Sequence, residues 1–123
     1  MLWRDDFCRI VRIPGADYPG FCRVILNRHT REMTDLADED KARLMGAVFA
    51  TESALRDLFE SDKINLASFG NQVPHLHWHV IPRWNDDPHF PDPSWGPPKR
   101  PAPSNRVEVS DAAITAKLAQ LLN

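Results

Sequence analysis

Three histidines stand at every second position of one segment, His75-Leu-His-Trp-His-Val-Ile81. Successive side chains of a β-strand point to opposite faces, so His75, His77 and His79 would share one face at intervals of about 7 Å. The apolar residues between them would occupy the other face and join the core. Imidazole is a nucleophile and a proton carrier near neutral pH, and its protonated form stabilises negative charge on phosphoryl oxygens. The spacing therefore predicts a strand that presents a row of imidazoles to an anion or to a metal ion.

A metal site is the second interpretation of this row. Histidines at alternate strand positions are a known zinc arrangement, but a zinc site usually has further ligands. His29 and His89 are the remaining histidines that would have to provide one, because Cys8 and Cys22 are not spaced as a ligand pair. The strand-like segments around the two cysteines instead predict buried, reduced thiols. Histidines on a solvated face without a function are a third interpretation, disfavoured because chance rarely produces three at a strict period of two.

The elements before the histidine row are predicted to be a hairpin and a helix. β-Branched and aromatic residues predict strands at 7–13 and 21–26, and the turn-forming residues 14–20 predict their antiparallel connection. Helical spacing of apolar residues between Asp35 and Glu60 predicts an amphipathic helix packed on the sheet, with carboxylates near its start favouring the helix dipole. Its apolar positions are Leu44, Met45, Val48, Phe49, Leu55, Leu58 and Phe59.

Further strands are predicted at 64–69 and at 75–81, where Pro74 and Pro82 bracket the histidine row. Seven of the eleven prolines fall between residues 86 and 105, which predicts an extended, loop-like segment. Residues 106–109 predict a short strand. Ser110 is the predicted N-cap of a final helix, whose buried face would comprise Ile114, Leu118, Leu121 and Leu122.

Length and composition predict a single domain over residues 1–123. The formal net charge of -2 argues against sequence-independent nucleic-acid binding, which requires a basic surface. No stretch approaches the 18 apolar residues that would span a bilayer, and acids near the N-terminus interrupt any signal-peptide pattern. We therefore expect a cytoplasmic protein that binds neither nucleic acid nor membrane.

The segment from His75 to Ile81 resembles the signature of the histidine triad (HIT) superfamily, His-φ-His-φ-His-φ-φ, where φ is apolar, at every position. The resemblance extends over about residues 7 to 84. Its other matches are Pro19-Gly20 before the second strand, residues 33–40 at the helix entry, Asn65, residues 70–73, and Pro82-Arg83.

The resemblance implies an α+β fold: an antiparallel sheet with one long packed helix and a C-terminal helix, commonly assembled as a homodimer. It also implies that His77 attacks the α-phosphorus of a nucleotide and forms a nucleotidyl-histidine intermediate, from which water releases a nucleoside monophosphate. His79 would contact the α-phosphate and assist the leaving group, and His75 would orient its neighbours. Because the transferase branch has glutamine at the third position, His79 favours hydrolysis.

The same resemblance assigns substrate binding to Asn65, Asn71 and Gln72, where family members contact ribose or phosphate. The implied substrate is a nucleoside phosphoramidate, a dinucleoside polyphosphate or a related adenylated compound. No cofactor or metal is required, although magnesium could accompany a polyphosphate. Two departures put the substrate in doubt: Gln72 stands where many members have Ser or Thr, and Ile13-Pro14 where many have Asp or Asn, with Asp17 as a candidate replacement.

Several alternatives stay open on the sequence. The protein could be a nucleotide-binding module with weak or no turnover, or a metal-binding protein that uses the histidine row. Trp84 lies just before the proline-rich segment and Trp95 within it, and each would either stack on a purine or pack beneath an extended tail. Arg83 would either neutralise phosphate or cap the end of the histidine strand.

Overall fold

The computed structural model describes residues 1–15 and 17–123, and its central element is a five-stranded antiparallel sheet. The strands are β1 (Trp3–Arg4), β2 (Cys8–Arg12), β3 (Cys22–Leu26), β4 (Lys63–Ala67) and β5 (His77–Arg83). Their spatial order is β1-β2-β3-β5-β4, so the histidine strand lies between β3 and β4. A short 3-10 helix (Met33–Asp35) and two α-helices, α1 (Asp38–Phe59) and α2 (Asp111–Leu122), complete the fold.

One face of the sheet is the core. Most even-numbered positions of β2, β3 and β5 are buried there, among them Cys8, Ile10, Cys22, Val24 and Val80. Both α-helices pack on this face. Cys8 and Cys22 are free thiols, as predicted, and burial raises their pKa values to about 11 and about 12. The alternation that buries these residues sends the odd-numbered ones to the opposite face.

The opposite face carries the histidines. Arg23 lies directly across from His79 and Ile25 across from His77 in the β3–β5 register, and opposed residues share a face. The strand begins at His77, two residues later than predicted, because the amide of His75 donates to the carbonyl of Val73 and closes a turn.

The predicted end of this strand was also wrong, since β5 continues through Pro82 to Arg83. The amide of Asp62 donates to the carbonyl of Arg83, so the backbone of Arg83 faces β4. The backbone of Pro82 then faces the other flank, where pairing with β3 ends at Val80. The missing N–H of proline therefore costs no ladder hydrogen bond.

Helix α1 starts with Asp38, Glu39 and Asp40 in its first turn and ends at Glu60, which adopts a left-handed conformation with φ 51°. Phe49, predicted on its buried face, is 52 % exposed. It lies about 100° around the helix from the buried Val48, which takes it outside the apolar stripe.

Helix α2 has the predicted cap, since Ser110 Oγ accepts from the amide of Ala113 at 3.1 Å. Ile114 and Leu118 are fully buried, whereas Leu121 in the last turn is largely exposed. The strand predicted at 106–109 is absent from the described chain. Arg106 there is held by side-chain contacts instead, an ion pair with Asp86 and a position 4.2 Å above the ring of Trp84.

The proline-rich segment, residues 86–105, forms turns and bends without helix or strand over its described length. A buried ion pair anchors it: Arg83 Nε donates to Asp87 Oδ2 at 2.7 Å, and Arg83 Nη2 to Asp87 Oδ1 at 3.0 Å. The two side chains are 2 % and 0 % exposed. Burial alone would raise the pKa of Asp87, but hydrogen bonds from Arg83 and from three backbone amides outweigh it and lower that pKa to about 2.

These contacts decide between the two interpretations of Arg83. Its Nη1 donates to Asn65 Oδ1 at 2.8 Å, and its Nη2 to the carbonyl of Asp92 at 2.8 Å. Tyr18 joins the same cluster, because its hydroxyl donates to Asp87 Oδ1 at 3.2 Å and lies 2.7 Å from His89 Nδ1. Arg83 is therefore committed to fixing the end of β5 to the proline-rich segment.

Neither α-helix of the described chain has both the length and the apolar character that crossing a membrane requires.

Candidate active site

The histidine face of the sheet forms the floor of a cavity of about 860 Å³. Its walls come from β2 and β3, from the loop after β4, and from one turn of the proline-rich segment. The lining residues are Arg9, Phe21, Arg23, Ile25, Phe69, Gly70, Asn71, Gln72, Val73, His75, His77, His79, Ile81, Ser94 and Trp95.

His77 is oriented by a backbone hydrogen bond. Its Nδ1 lies 2.6 Å from the carbonyl oxygen of His75. A carbonyl only accepts, so Nδ1 must carry the proton, and in the neutral ring Nε2 keeps its lone pair. Strand β5 thus presents an imidazole to the cavity in the tautomer that a nucleophile needs.

His75 is held from both ends of its ring. Its Nε2 hydrogen-bonds the carbonyl of Leu26, and its Nδ1 lies 3.1 Å from His29 Nδ1. In neutral His75 the bond to a carbonyl places the proton on Nε2, so His29 donates to Nδ1. His75 consequently contributes both its fixed ring and, through its carbonyl, the orientation of His77.

His79 is surrounded by aromatic rings. Its ring centroid lies 5.1 Å from that of His77, 5.4 Å from Phe21 and 5.7 Å from Phe69. Burial lowers its pKa to about 4, and the positive charges of Arg23 and His77 contribute further. His79 is therefore neutral near pH 7 until an anion enters the cavity and offsets those charges.

The predicted substrate-binding residues separate into two places. Asn71 and Gln72 line the histidine cavity from an exposed loop, which turns at Gly70 with φ +83°. Asn65 lies on the same sheet face but beyond Ile81, and its Oδ1 is occupied by Arg83. It lines a neighbouring cavity of about 350 Å³.

The remaining candidates lie away from the histidine row. Asp17 is exposed and does not line the cavity, and His89 belongs to the buried Tyr18 cluster. Within residues 1–15 and 17–123, no group of three His, Cys, Asp or Glu side chains is arranged to hold a metal ion.

The two tryptophans have different environments. Trp84 is buried beneath Arg106, which agrees with packing under the tail. Trp95 is 64 % exposed, and its ring meets Phe69 edge-on at 4.8 Å. It stands where the two cavities meet.

Sequence reasoning missed two cavity residues, Arg9 and Arg23. Both occupy odd-numbered strand positions, so alternation alone would put them on one face. Placing that face beside the histidines requires knowing that β3 pairs with β5, although a long helix and β4 separate them in the chain.

Residues 1–86 match the model of the HIT domain family. This match covers more than half of the 123 residues, and the protein belongs to the histidine triad superfamily. The resemblance of residues His75 to Ile81 to this superfamily is therefore confirmed, together with the α+β fold of a sheet, one long helix and a C-terminal helix.

The structure is similar to solved histidine triad proteins over 98 % of the chain. One from Bradyrhizobium japonicum has a TM-score of 0.75 at 26 % identity, with 88 % of that chain covered. One from Marinobacter aquaeolei VT8 has a TM-score of 0.75 at 32 % identity, with 86 % covered. A curated relative, the AP-4-A phosphorylase of Mycobacterium tuberculosis, is 30 % identical over 78 residues. The aligned part is 58 % of this chain but only 40 % of that relative.

Proposed function

We propose that this protein is a nucleotidyl hydrolase in which His77 attacks the α-phosphorus of a nucleotide. The observation that carries the proposal is the hydrogen bond from His77 Nδ1 to the carbonyl of His75, which leaves Nε2 as a nucleophile on the cavity floor. The Nε2–P bond forms while the bond from phosphorus to the leaving group breaks. Water then adds to phosphorus, the Nε2–P bond breaks, and a nucleoside monophosphate departs.

His79 is the proton donor and acceptor of the proposed reaction. Its ring is neutral in the protein without substrate, because burial and Arg23 hold its pKa low. A bound phosphate supplies negative charge beside the ring and raises that pKa, so the ring becomes protonated with the substrate in place. The imidazolium then donates to the departing group, and the neutral ring accepts a proton from the attacking water.

Around this pair, His75 fixes the ring of His77, and Asn71 and Gln72 donate amide hydrogen bonds to phosphate or ribose oxygens. The reaction as written needs no metal ion, and magnesium enters only with a polyphosphate substrate. Equal turnover of a phosphoramidate in EDTA and in magnesium would support this; loss of turnover in EDTA would contradict it.

The test is AMP release from adenosine phosphoramidate and from diadenosine polyphosphates by the wild type and by His77→Asn. The asparagine keeps a side-chain N–H for the carbonyl of His75 but has no nucleophilic nitrogen. We expect release by the wild type and its loss, by roughly 10³-fold or more, in a variant that still binds AMP. Release that persists in His77→Asn would overturn the mechanism, and binding without any release would favour a nucleotide-binding module.

A phosphorylase is the second candidate, favoured by the name of the Mycobacterium tuberculosis relative. In that reaction inorganic phosphate replaces water as the second nucleophile, so the product is ADP instead of AMP. The assay is therefore run with and without phosphate on diadenosine tetraphosphate, whose leaving group is ATP, so that ADP can come only from attack by phosphate. ADP formed only with phosphate would identify a phosphorylase, whereas AMP in both conditions supports hydrolysis.

The homodimer and the cytoplasmic location implied at the level of sequence stay predictions. Light scattering that gives twice the mass of 14.0 kDa would support the dimer, and a monomer would contradict it without affecting the role of His77.

A further inference from the structure

The cavity has a charge balance unlike that of the whole protein. The chain has a net charge of -2, yet the cavity is lined by two guanidinium groups and three imidazoles, with no Asp or Glu among its described lining residues. One phosphoryl group at His77 would use the imidazoles. The two arginines are then left over, and their charges need a separate explanation.

Arg23 is placed to meet an anion beside His79. It lies directly opposite His79 in the register of β3 and β5, so the two backbones are about 5 Å apart. Its Nε is buried and has no hydrogen-bond partner among the described atoms. Its guanidinium carbon lies 5.8 Å from the centroid of Phe21, which forms the adjacent wall. A buried donor without an acceptor is rare in proteins and indicates a group that a ligand satisfies.

Arg9 adds a second positive charge to the cavity wall, on β2, one strand farther from the histidines than Arg23. It pairs with Ile25, which in turn pairs with His77, so its backbone is about 10 Å from the nucleophile strand. Its side-chain hydrogen bond is a long one, 3.3 Å from Nη1 to Asn27 Oδ1. No carboxylate lies within ion-pair distance of Arg9 or Arg23 in the described part of the chain, although nine other ion pairs form there.

We propose that Arg9 and Arg23 form a second phosphate subsite, which selects a ligand bearing another phosphate beside the one attacked by His77. The inference rests on the proposed function, because it takes the first phosphate to lie at the histidines. It narrows the substrate class to compounds with two or more phosphates and disfavours phosphoramidates whose leaving group is uncharged. Arg23 makes the closer contact, and Arg9 supplies charge and a donor farther along the chain of phosphates.

The test compares the binding of AMP and of ADP by calorimetry at fixed salt. In the wild type we expect ADP to bind at least about tenfold more tightly than AMP, since a charge-assisted contact to phosphate is worth that much. In Arg23→Gln the ratio should fall to near one, and in Arg9→Gln it should fall part of the way. Arg23→Lys should restore part of the preference, because the charge returns without the guanidinium fork.

Arg56→Gln is the matched control. It removes the same charge from the exposed surface of α1, a helix that packs on the other side of the sheet, and should keep the wild-type ratio. Equal melting temperatures of the variants exclude unfolding as the cause of any loss.

The second phosphate has two possible sources, which separate experimentally. A phosphate of the substrate's own chain predicts the ADP preference just described. A separate acceptor phosphate predicts that inorganic phosphate binds to the AMP complex of the wild type and not to that of Arg23→Gln. The subsite would be overturned if the wild type showed neither an ADP preference nor binding of inorganic phosphate. It would also be overturned if both properties were unchanged in the arginine variants. Failure of AMP itself to bind would overturn the proposed function as well.

Discussion

His79 has aromatic side chains around its ring and a positive charge beside it. Enclosure by Phe21 and Phe69 removes water from its ring, and Arg23 stands across from it on the neighbouring strand. Both conditions favour the neutral imidazole. In the proposed reaction, an anion in the cavity reverses this balance, so His79 would take up a proton when the substrate binds and would give it to the leaving group.

The enclosure of His79 should be visible in its titration. Its ring resonance, assigned with His79→Gln, should titrate with a midpoint near pH 4 in the free protein, well below the ordinary 6.5. AMP should move that midpoint to a higher pH, because its phosphate stabilises the imidazolium. The measurement is a proton NMR titration with and without AMP. A midpoint near 6.5 in the free protein would mean that the ring is more hydrated than its aromatic neighbours indicate.

At the scale of elements, the histidine face depends on how closely the connection between β2 and β3 packs against the ends of β5 and α1. A Cβ at Gly20 would lie 2.8 Å from Pro82 Cγ and 3.0 Å from Phe59 Cε2. Gly20 therefore lets the chain pass between the end of β5 and the end of α1. Pro82 precedes Arg83, whose ion pair with Asp87 anchors the proline-rich segment. The close packing of Gly20 on Pro82 therefore also supports that ion pair.

Gly20→Ala should accordingly destabilise the protein by about 1–3 kcal/mol, as overpacking of a filled interior does. Gly46 gives the matched control, since it lies within α1 and a Cβ there would meet nothing within 4 Å. Gly46→Ala should stabilise by about 0.5–1 kcal/mol through helix propensity. Urea denaturation of both variants checks the pair, and equal free energies of unfolding would contradict the close packing at Gly20.

At the scale of the whole molecule, the sequence was informative where periodicity and burial agree. The period-two row in β5 predicted both the strand and the shared face of its histidines, because alternate positions are forced to opposite sides of a sheet. The helical spacing in α1 predicted its existence, but Phe49 escaped burial, since a list of apolar residues does not define the width of the buried stripe.

The rest depends on contacts between distant parts of the chain. The substrate-binding role of Asn65 stays a prediction. What the sequence did not predict is that its side-chain oxygen accepts from Arg83, a contact that depends on the register of β4 against β5. Arg23 went unnoticed for a similar reason, since only the pairing of β3 with β5 brings it to His79. No local pattern encodes these partners, because strand order is a property of the assembled sheet.

Two groups on different elements make the stability of the molecule depend on pH in the same direction. The pKa of His79 is lowered to about 4, so between pH 6.5 and 4 the unfolded chain binds a proton that the folded protein does not, and stability falls as pH falls. The pKa of Asp87 is lowered from 3.8 to about 2, so the stability contributed by its ionised form is present above pH 4 and is lost between pH 4 and 2. We therefore expect the free energy of unfolding to fall with decreasing pH in two successive ranges, first through His79 and then through Asp87.

The free energy of unfolding, measured by urea denaturation from pH 8 to pH 2.5, should separate the two ranges. His79→Gln should flatten the fall between pH 6.5 and 4 and leave the lower range unchanged, because glutamine does not titrate. Asp87→Asn should lower stability at neutral pH, since Arg83 keeps its charge at a buried position without a carboxylate partner, and should flatten the fall below pH 4. The two effects should add, because the groups belong to separate clusters of contacts. A wild-type profile that is flat from pH 6.5 to 4 would show that His79 is protonated as easily in the folded protein as in the unfolded chain. The proposed uptake of a proton by His79 on substrate binding would then be wrong.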